Sequence, residues 1–219
     1  MVRSPHDRAR LLVTRLPPFV RFALPIVLVV VGLVLWANWI APPQIPQPLA
    51  PGVTKDKVRV RYAPGKRPVF TLPNGERRTV QSLLNVRTKM MFGDFVWNDA
   101  GVAPGPVWVR VDLARQTLSV FRSDQEIGSA VILYGTDGKP TPTGVFPILE
   151  KAEQHSSNLY DAEMPYMLRL TNDGVAIHAS HVRFGAATHG CIGIPIEFAR
   201  LLFAQVKRGD PVAIVAAGT

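Results

Sequence analysis

The sequence predicts a mainly β protein, a β-sandwich or barrel with one late helix, preceded by a single N-terminal transmembrane helix. Three observations carry this. From Pro106 onward, short runs rich in β-branched and aromatic residues recur between turns, at about the 8–12-residue spacing of sandwiches and barrels. One stretch after Pro195 has helical periodicity. Phe22 to Ala41, FALPIVLVVVGLVLWANWIA, carries no charge.

The apolar run comes first in the chain. About 20 residues at 1.5 Å rise span roughly 30 Å, the hydrocarbon thickness of a bilayer. Pro25 sits near its start, where proline costs least, and Trp36 and Trp39 sit at its far end, where indoles favour the headgroup level. A buried core helix would show a polar face, and this run has none. A cleaved signal peptide has an apolar region of about 7–15 residues ending in a small-x-small site; Trp39-Ile40-Ala41-Pro42 is a poor one. The run therefore reads as an uncleaved anchor, residues 22–41. Residues 1–21 hold Arg3, Arg8, Arg10, Arg15 and Arg21 against Asp7, and no charge follows the span until Lys55. By the positive-inside rule 1–21 is a cytoplasmic basic tail and the rest of the chain lies across the membrane.

Residues 42–52, PPQIPQPLAPG, form a stiff proline-rich linker. Residues 53–104 are a basic, β-rich lead-in. VRVRY and VFTLPNGERRTV alternate, with a hairpin turn at Asn74-Gly75. VQSLLNV, 80–86, reads as a short helix. The basic residues fit either a solvated strand face or a patch for anionic lipid or wall polymer. Residues 105–219 form the next unit. Its strand runs are VWVRVDL, QTLSVF, EIGSAVILY, GVFPIL, YMLRLT and GVAIHAS. PIEFARLLFAQVKRGD reads as the helix: Pro195 starts it, Phe198, Leu201, Leu202 and Val206 make its apolar stripe, and Lys207-Arg208 precede Gly209. PVAIVAA returns as a last strand.

With 25 Lys and Arg against 16 Asp and Glu, the formal net charge is +9. An anionic surrounding fits: a membrane face, a wall polymer or nucleic acid. No zinc-finger spacing, aromatic RNA-binding motif or basic heptad region is present, so no nucleic-acid partner is expected. A single cysteine, Cys191, excludes an internal disulfide. A lone thiol is either a small buried hydrophobe or a reactive group. A nucleophilic cysteine needs a partner base and donors for an oxyanion. His178 ends an apolar strand run, His189 stands two residues before Cys191, and Gly190 permits a turn that a substrate can approach closely. A histidine on an apolar strand is ordinarily a satisfied core residue, so each of these residues alone is ambiguous. His178, His181, His189 and Cys191 lack a second cysteine or a His-Glu-x-x-His pattern, so neither metal nor cofactor is expected.

Together, AIHAS and ATHGCIGIP resemble the active-site signature of the L,D-transpeptidases, cysteine enzymes that remodel bacterial peptidoglycan. VWVRVDLARQTLSVFRSDQEIGSAVILYG, TPTGVFPI and MPYMLRLTNDGVAIH resemble other parts of that family in order, over about 105–216. The resemblance implies an L,D-transpeptidase catalytic domain at 105–219. Cys191 would be the acyl-accepting nucleophile, His178 its base, His189 a second active-site histidine, and Gly190 with Cys191 the oxyanion donors. Thr188 would fix the loop, with Tyr166, Ser180 and Arg183 at the substrate. Departures are Ala179 where the family has Gly, a shorter loop from His178 to Thr188, and Gly193 where the family places Arg or Asn; Arg183 is the candidate replacement. The resemblance implies a cysteinyl thioester with a stem tetrapeptide, release of the terminal D-amino acid, and transfer to an amine. The alternatives are an L,D-carboxypeptidase or crosslink-cleaving hydrolase on the same scaffold, and a weakly catalytic wall-binding module. The expected partners are peptidoglycan stem peptides and the bacterial inner membrane, with the catalytic domain of a single-pass monomer in the periplasm.

Overall fold

The structure is a computed structural model that describes residues 53–216 apart from 56, 136–137 and 158–161. The apolar run 22–41, its basic tail and the linker lie outside the described residues. Among the described residues no helix is long and apolar enough to cross a membrane.

The strands are β1 (Val53–Lys55), β2 (Arg59–Tyr62), β3 (Val69–Thr71), β4 (Arg77–Thr79), β5 (Ser82–Leu84), β6 (Phe95–Trp97), β7 (Val107–Asp112), β8 (Thr117–Arg122) and β9 (Gln125–Val131). They continue with β10 (Gly144–Pro147), β11 (Glu150–Ala152), β12 (Ser156–Ser157), β13 (Ala162–Glu163), β14 (Met167–Arg169), β15 (Ala176–Ala179), β16 (Ile192–Ile194) and β17 (Pro211–Val215). The α-helix, α1, is Ile196–Gln205.

A nine-stranded sheet runs β1-β2-β5-β9-β8-β7-β17-β10, with β6 also paired to β9. Its centre is the meander β7-β8-β9. Ser123 and Asp124 turn β8 into β9 with φ of 48° and 60°, the two left-handed residues of a tight hairpin. Strands from both sides of residue 105 share this sheet: Ser82 pairs with Gln125, and Phe95–Trp97 with Gly128–Ala130. A four-stranded sheet, β11-β14-β15-β16, packs across from it. Val109, Val111, Leu118 and Val120 of the first sheet join Ile177, Ile192 and Ile194 of the second, with Phe198 and Leu202 of α1, in one buried cluster. Among the described residues the architecture is thus mainly β, with one α-helix packed into the core between two sheets.

The outer face of the large sheet is covered by the β3-β4 hairpin, whose turn places Gly75 at φ +83°. Leu72 and Val80 pack there on Trp108 and Phe121, whose rings stack at 4.1 Å. Two of the basic residues close onto aromatic rings: Arg78 lies 5.4 Å from the Trp108 ring and Arg110 4.9 Å from Phe70.

The structure corrects the short helix at VQSLLNV. Ser82–Leu84 is a strand, with Ser82 and Leu84 buried and Leu83 half-buried. It pairs with Arg59–Arg61 on one side and β9 on the other, and those ladders override a weak local helical preference. Helix α1 is placed within a residue or two of its expected bounds: Pro195 caps it rather than beginning it, and Val206 closes it. Its C-terminal carbonyls are capped from another element. Lys151 Nζ donates to the carbonyls of Phe203 at 2.7 Å and Val206 at 2.5 Å, a cation at the negative end of the helix dipole.

Candidate active site

Two adjacent strands of the smaller sheet present the chemistry. β15 carries His178 and β16 begins one residue after Cys191. They pair in parallel, Ile177 with Ile192 and His178 with Gly193. Parallel pairing brings together residues from distant parts of the chain, which no hairpin would do. The large sheet reaches the same place: Leu133 and Gly193 exchange both backbone hydrogen bonds, at 2.9 and 3.0 Å.

The segment from Thr188 to Cys191 is clamped at several points. Thr188 N–H donates to the Tyr134 carbonyl at 3.1 Å, and its hydroxyl donates to the Cys191 carbonyl at 2.5 Å. The Thr141 hydroxyl accepts from Gly135 N–H and donates to the Gly190 carbonyl, both at 2.9 Å. Gly190 has φ +101°, a backbone that glycine adopts without a steric cost. Gly135 is required by crowding instead. A Cβ there would lie 2.2 Å from the Lys139 carbonyl oxygen and 2.8 Å from the Gly190 nitrogen and Cα. Gly135→Ala is therefore expected to push the turn that carries Cys191 outward. A displacement near 1 Å costs roughly 100-fold in rate, so any reaction at the Cys191 thiol should slow by about that factor. A rate within about threefold of the parent would show that the turn tolerates the added carbon.

Cys191 and His178, both half-buried, line one cavity of about 400 Å3. The Sγ lies 3.8 Å from the Gly174 carbonyl. Burial pushes the Cys191 thiol above its ordinary value; a backbone hydrogen bond at Ala176 and the Lys139 charge oppose this, and the Asp173 charge adds to it. Burial likewise pushes the His178 imidazole down, its hydrogen bond at the Ala179 carbonyl opposes this, and His155 adds to the depression. Both shifts favour the uncharged forms, so a neutral thiol and a neutral imidazole share the cavity. His178 Nδ1 stands 2.8 Å from the Ala179 carbonyl. A carbonyl only accepts, so Nδ1 bears the hydrogen and Nε2 keeps the lone pair.

His189 and Thr188 also line the cavity. Three residues singled out by sequence do not. Tyr166, at φ +56°, turns its ring onto Phe203 at 5.7 Å. Arg183 stands exposed on the loop between β15 and β16. Ser180 fills the space beside Gly193, where its Cβ lies 2.9 Å from the position of an added Cβ. A larger side chain at 193 would therefore collide with Ser180.

Other residues enter unannounced. Lys139, His155, Met164, Arg169 and Asp173 line the cavity, and Thr141 holds the turn. Thr141 opens the TPTGVFPI stretch, so that signal was present; Asp173 belongs to a segment whose only legible property was turning. Among the described residues no group of three His, Cys, Asp or Glu is placed to hold a metal ion.

Residues 106–214 match the YkuD family, the L,D-transpeptidase catalytic domain. The chain is 25% identical over 191 residues to L,D-transpeptidase 1 of Mycobacterium tuberculosis, a match covering 67% of this chain and 76% of that protein. Among solved structures it is similar to an L,D-transpeptidase from Stackebrandtia nassauensis, at 27% identity and TM-score 0.48, over 53% of this chain and 60% of that one. It is also similar to the crystal structure of M. tuberculosis L,D-transpeptidase 1, at 24% identity and TM-score 0.45, over 50% and 62%. The chain thus spans less than two thirds of either crystallised protein. Residues 106–214, which bring Cys191 and His178 to one cavity, belong to the YkuD family of L,D-transpeptidase catalytic domains.

Proposed function

We propose that the chain is a membrane-anchored peptidoglycan L,D-transpeptidase acting outside the cytoplasm through a Cys191 thioester. The observation that carries this is the meeting of the lone cysteine and a histidine with a free Nε2 lone pair at one open cavity. Family membership supports the transpeptidase class. The uncharged run 22–41 and the arginines before it support the anchor and its orientation.

In the first step His178 Nε2 takes the Cys191 proton as sulfur attacks the carbonyl of an L-centre in a stem tetrapeptide. The N–H groups of Gly190 and Cys191 are the donors offered to the oxyanion. Collapse breaks the amide bond, the imidazolium returns its proton to the departing amine, and a D-amino acid leaves. In the second step an acceptor amine attacks the thioester, His178 takes its proton, and the thiol is restored. Thr188 and Thr141 hold the turn in place throughout.

The test uses the full chain in mild detergent with disaccharide tetrapeptides, read by mass spectrometry. Transfer gives a dimer with the mass of two donors less one D-amino acid. A tripeptide monomer alone would mean that water takes the acyl group and the chain is a hydrolase. No release of D-amino acid would leave a wall-binding module.

A pH profile follows from the resting charge state. A depressed histidine pKa keeps the base form present down to below the ordinary 6.5, and a raised thiol pKa keeps the proton on sulfur up to above 9.0. D-amino acid release should be level between those limits and fall only on their far sides. A tenfold rise from pH 7 to 9 would instead assign the chemistry to a thiolate formed without His178.

A further inference from the structure

The cavity is electrically divided at the nucleophile. Lys139 and Asp173 both line it and both act on Cys191, the ammonium favouring the thiolate and the carboxylate opposing it. Arg169, on another part of the wall, is engaged with Glu150 at 2.9 Å and with the Thr171 carbonyl at 3.4 Å. Gly193 supplies no side chain, and Ser180 occupies the place where one would begin.

Lys139 is held beside the nucleophile's turn by its own backbone. Its carbonyl oxygen and its Cγ each lie 3.7 Å from the position of a Cβ on Gly190, and the same carbonyl crowds Gly135. A flexible lysine stem is thereby rooted at a fixed point one residue from Cys191. We propose that Lys139 recognises the free carboxylate of the D-amino acid expelled in the first step. This deepens the transpeptidase reading and rests on it.

The chemistry of the donor makes the fit. In a stem tetrapeptide the residue after the scissile carbonyl is terminal, and its carboxylate lies about one residue repeat, roughly 3.5 Å, beyond the attacked carbon. A cation rooted beside Cys191 is within reach of that carboxylate, whereas Asp173, of like charge, repels it. A donor extended by another residue, or capped as an amide, offers a neutral group at the same place. The site therefore selects peptides that end one residue past the scissile bond. A charge-assisted hydrogen bond of this kind is worth about 10–100-fold in rate.

The experiment compares two synthetic stem tetrapeptides, one ending in D-alanine and the other in D-alaninamide, with the full chain and with Lys139→Gln and Lys139→Arg. Release of D-alanine or its amide is followed by mass spectrometry. The parent should favour the carboxylate about 10–100-fold. Lys139→Gln should lose that preference, and an unfolding midpoint equal to the parent's shows that the variant is folded. Lys139→Arg should keep much of it. A preference that survives in Lys139→Gln, equal rates for both peptides in the parent, or equal loss on both in the variant would overturn the assignment while leaving the transpeptidase reading standing. Release of neither product by the parent would overturn both.

Discussion

Cys191→Ala is expected to abolish D-amino acid release, lowering the first step by about 10,000-fold or more, with little effect on the fold. No second cysteine exists to take over, and neither alanine nor a serine hydroxyl matches the nucleophilicity of sulfur near neutral pH. The loss should appear as a missing covalent adduct: the parent gains the mass of the acyl tripeptide on denaturation of a reacting sample, and the variant does not. Stability should change by no more than about 1 kcal/mol, because the half-buried sulfur has a long contact to the Gly174 carbonyl and one backbone hydrogen bond at Ala176, and packs at the edge of the small Met164, Met167 and Ala176 cluster. A variant retaining more than about a hundredth of the parental rate would remove the sulfur from the reaction and the thioester with it.

Arg59→Ala should produce the largest loss of stability, about 3–5 kcal/mol. Arg59 is 2% exposed. Its guanidinium donates to the Glu126 carbonyl at 2.5 Å, to the Asn98 carbonyl, and at 3.4 Å to Ser82 Oγ. One side chain on β2 thus ties β5, β9 and the segment after β6 together. Glu126 beside it is buried, which raises its carboxyl; hydrogen bonds from Ser119 and Leu84 N–H and the Arg59 charge oppose that rise. Removing the arginine strands the buried Glu126 carbonyl and the part-buried Asn98 carbonyl and takes the cation from Glu126. Denaturant unfolding checks this, and a loss below about 1 kcal/mol would mean that the buried guanidinium contributes no more than a surface charge. Because β2 and β5 belong to the same sheet as the meander, the loss should also slow D-amino acid release at temperatures where the parent is stable.

The sequence was most legible where local chemistry and tertiary environment agree. Asn74-Gly75 makes its turn because the residues demand it. Of the stripe Phe198, Leu201, Leu202 and Val206, all but the half-buried Leu201 are buried, as the spacing requires. The meander of β7, β8 and β9 follows from apolar runs broken by turns. Legibility failed where long-range pairing decides. Ser82–Leu84 is a strand only because β2 and β9 flank it. The site follows the same division. Cys191, His178 and Gly190 stand out by residue type, and Thr188 by its place beside them. Lys139, His155 and Asp173 are ordinary loop residues until the chain is folded, and only the fold brings them to the cavity that Cys191 lines. Tyr166 and Arg183 show the converse: the Tyr166 ring packs on Phe203 and Arg183 stands exposed on its loop, neither among the residues that line the cavity.

The position of β17 has a consequence for how the chain acquires its structure. It lies between β7, its parallel partner, and β10, so two strands made much earlier wait for Pro211–Val215 before the sheet can close. Until then both present unsatisfied amides and apolar faces, the combination that invites pairing with another chain. Productive folding is therefore favoured by shielding those edges, and a holding chaperone that delays collapse until the closing strand emerges should raise the yield of active molecules.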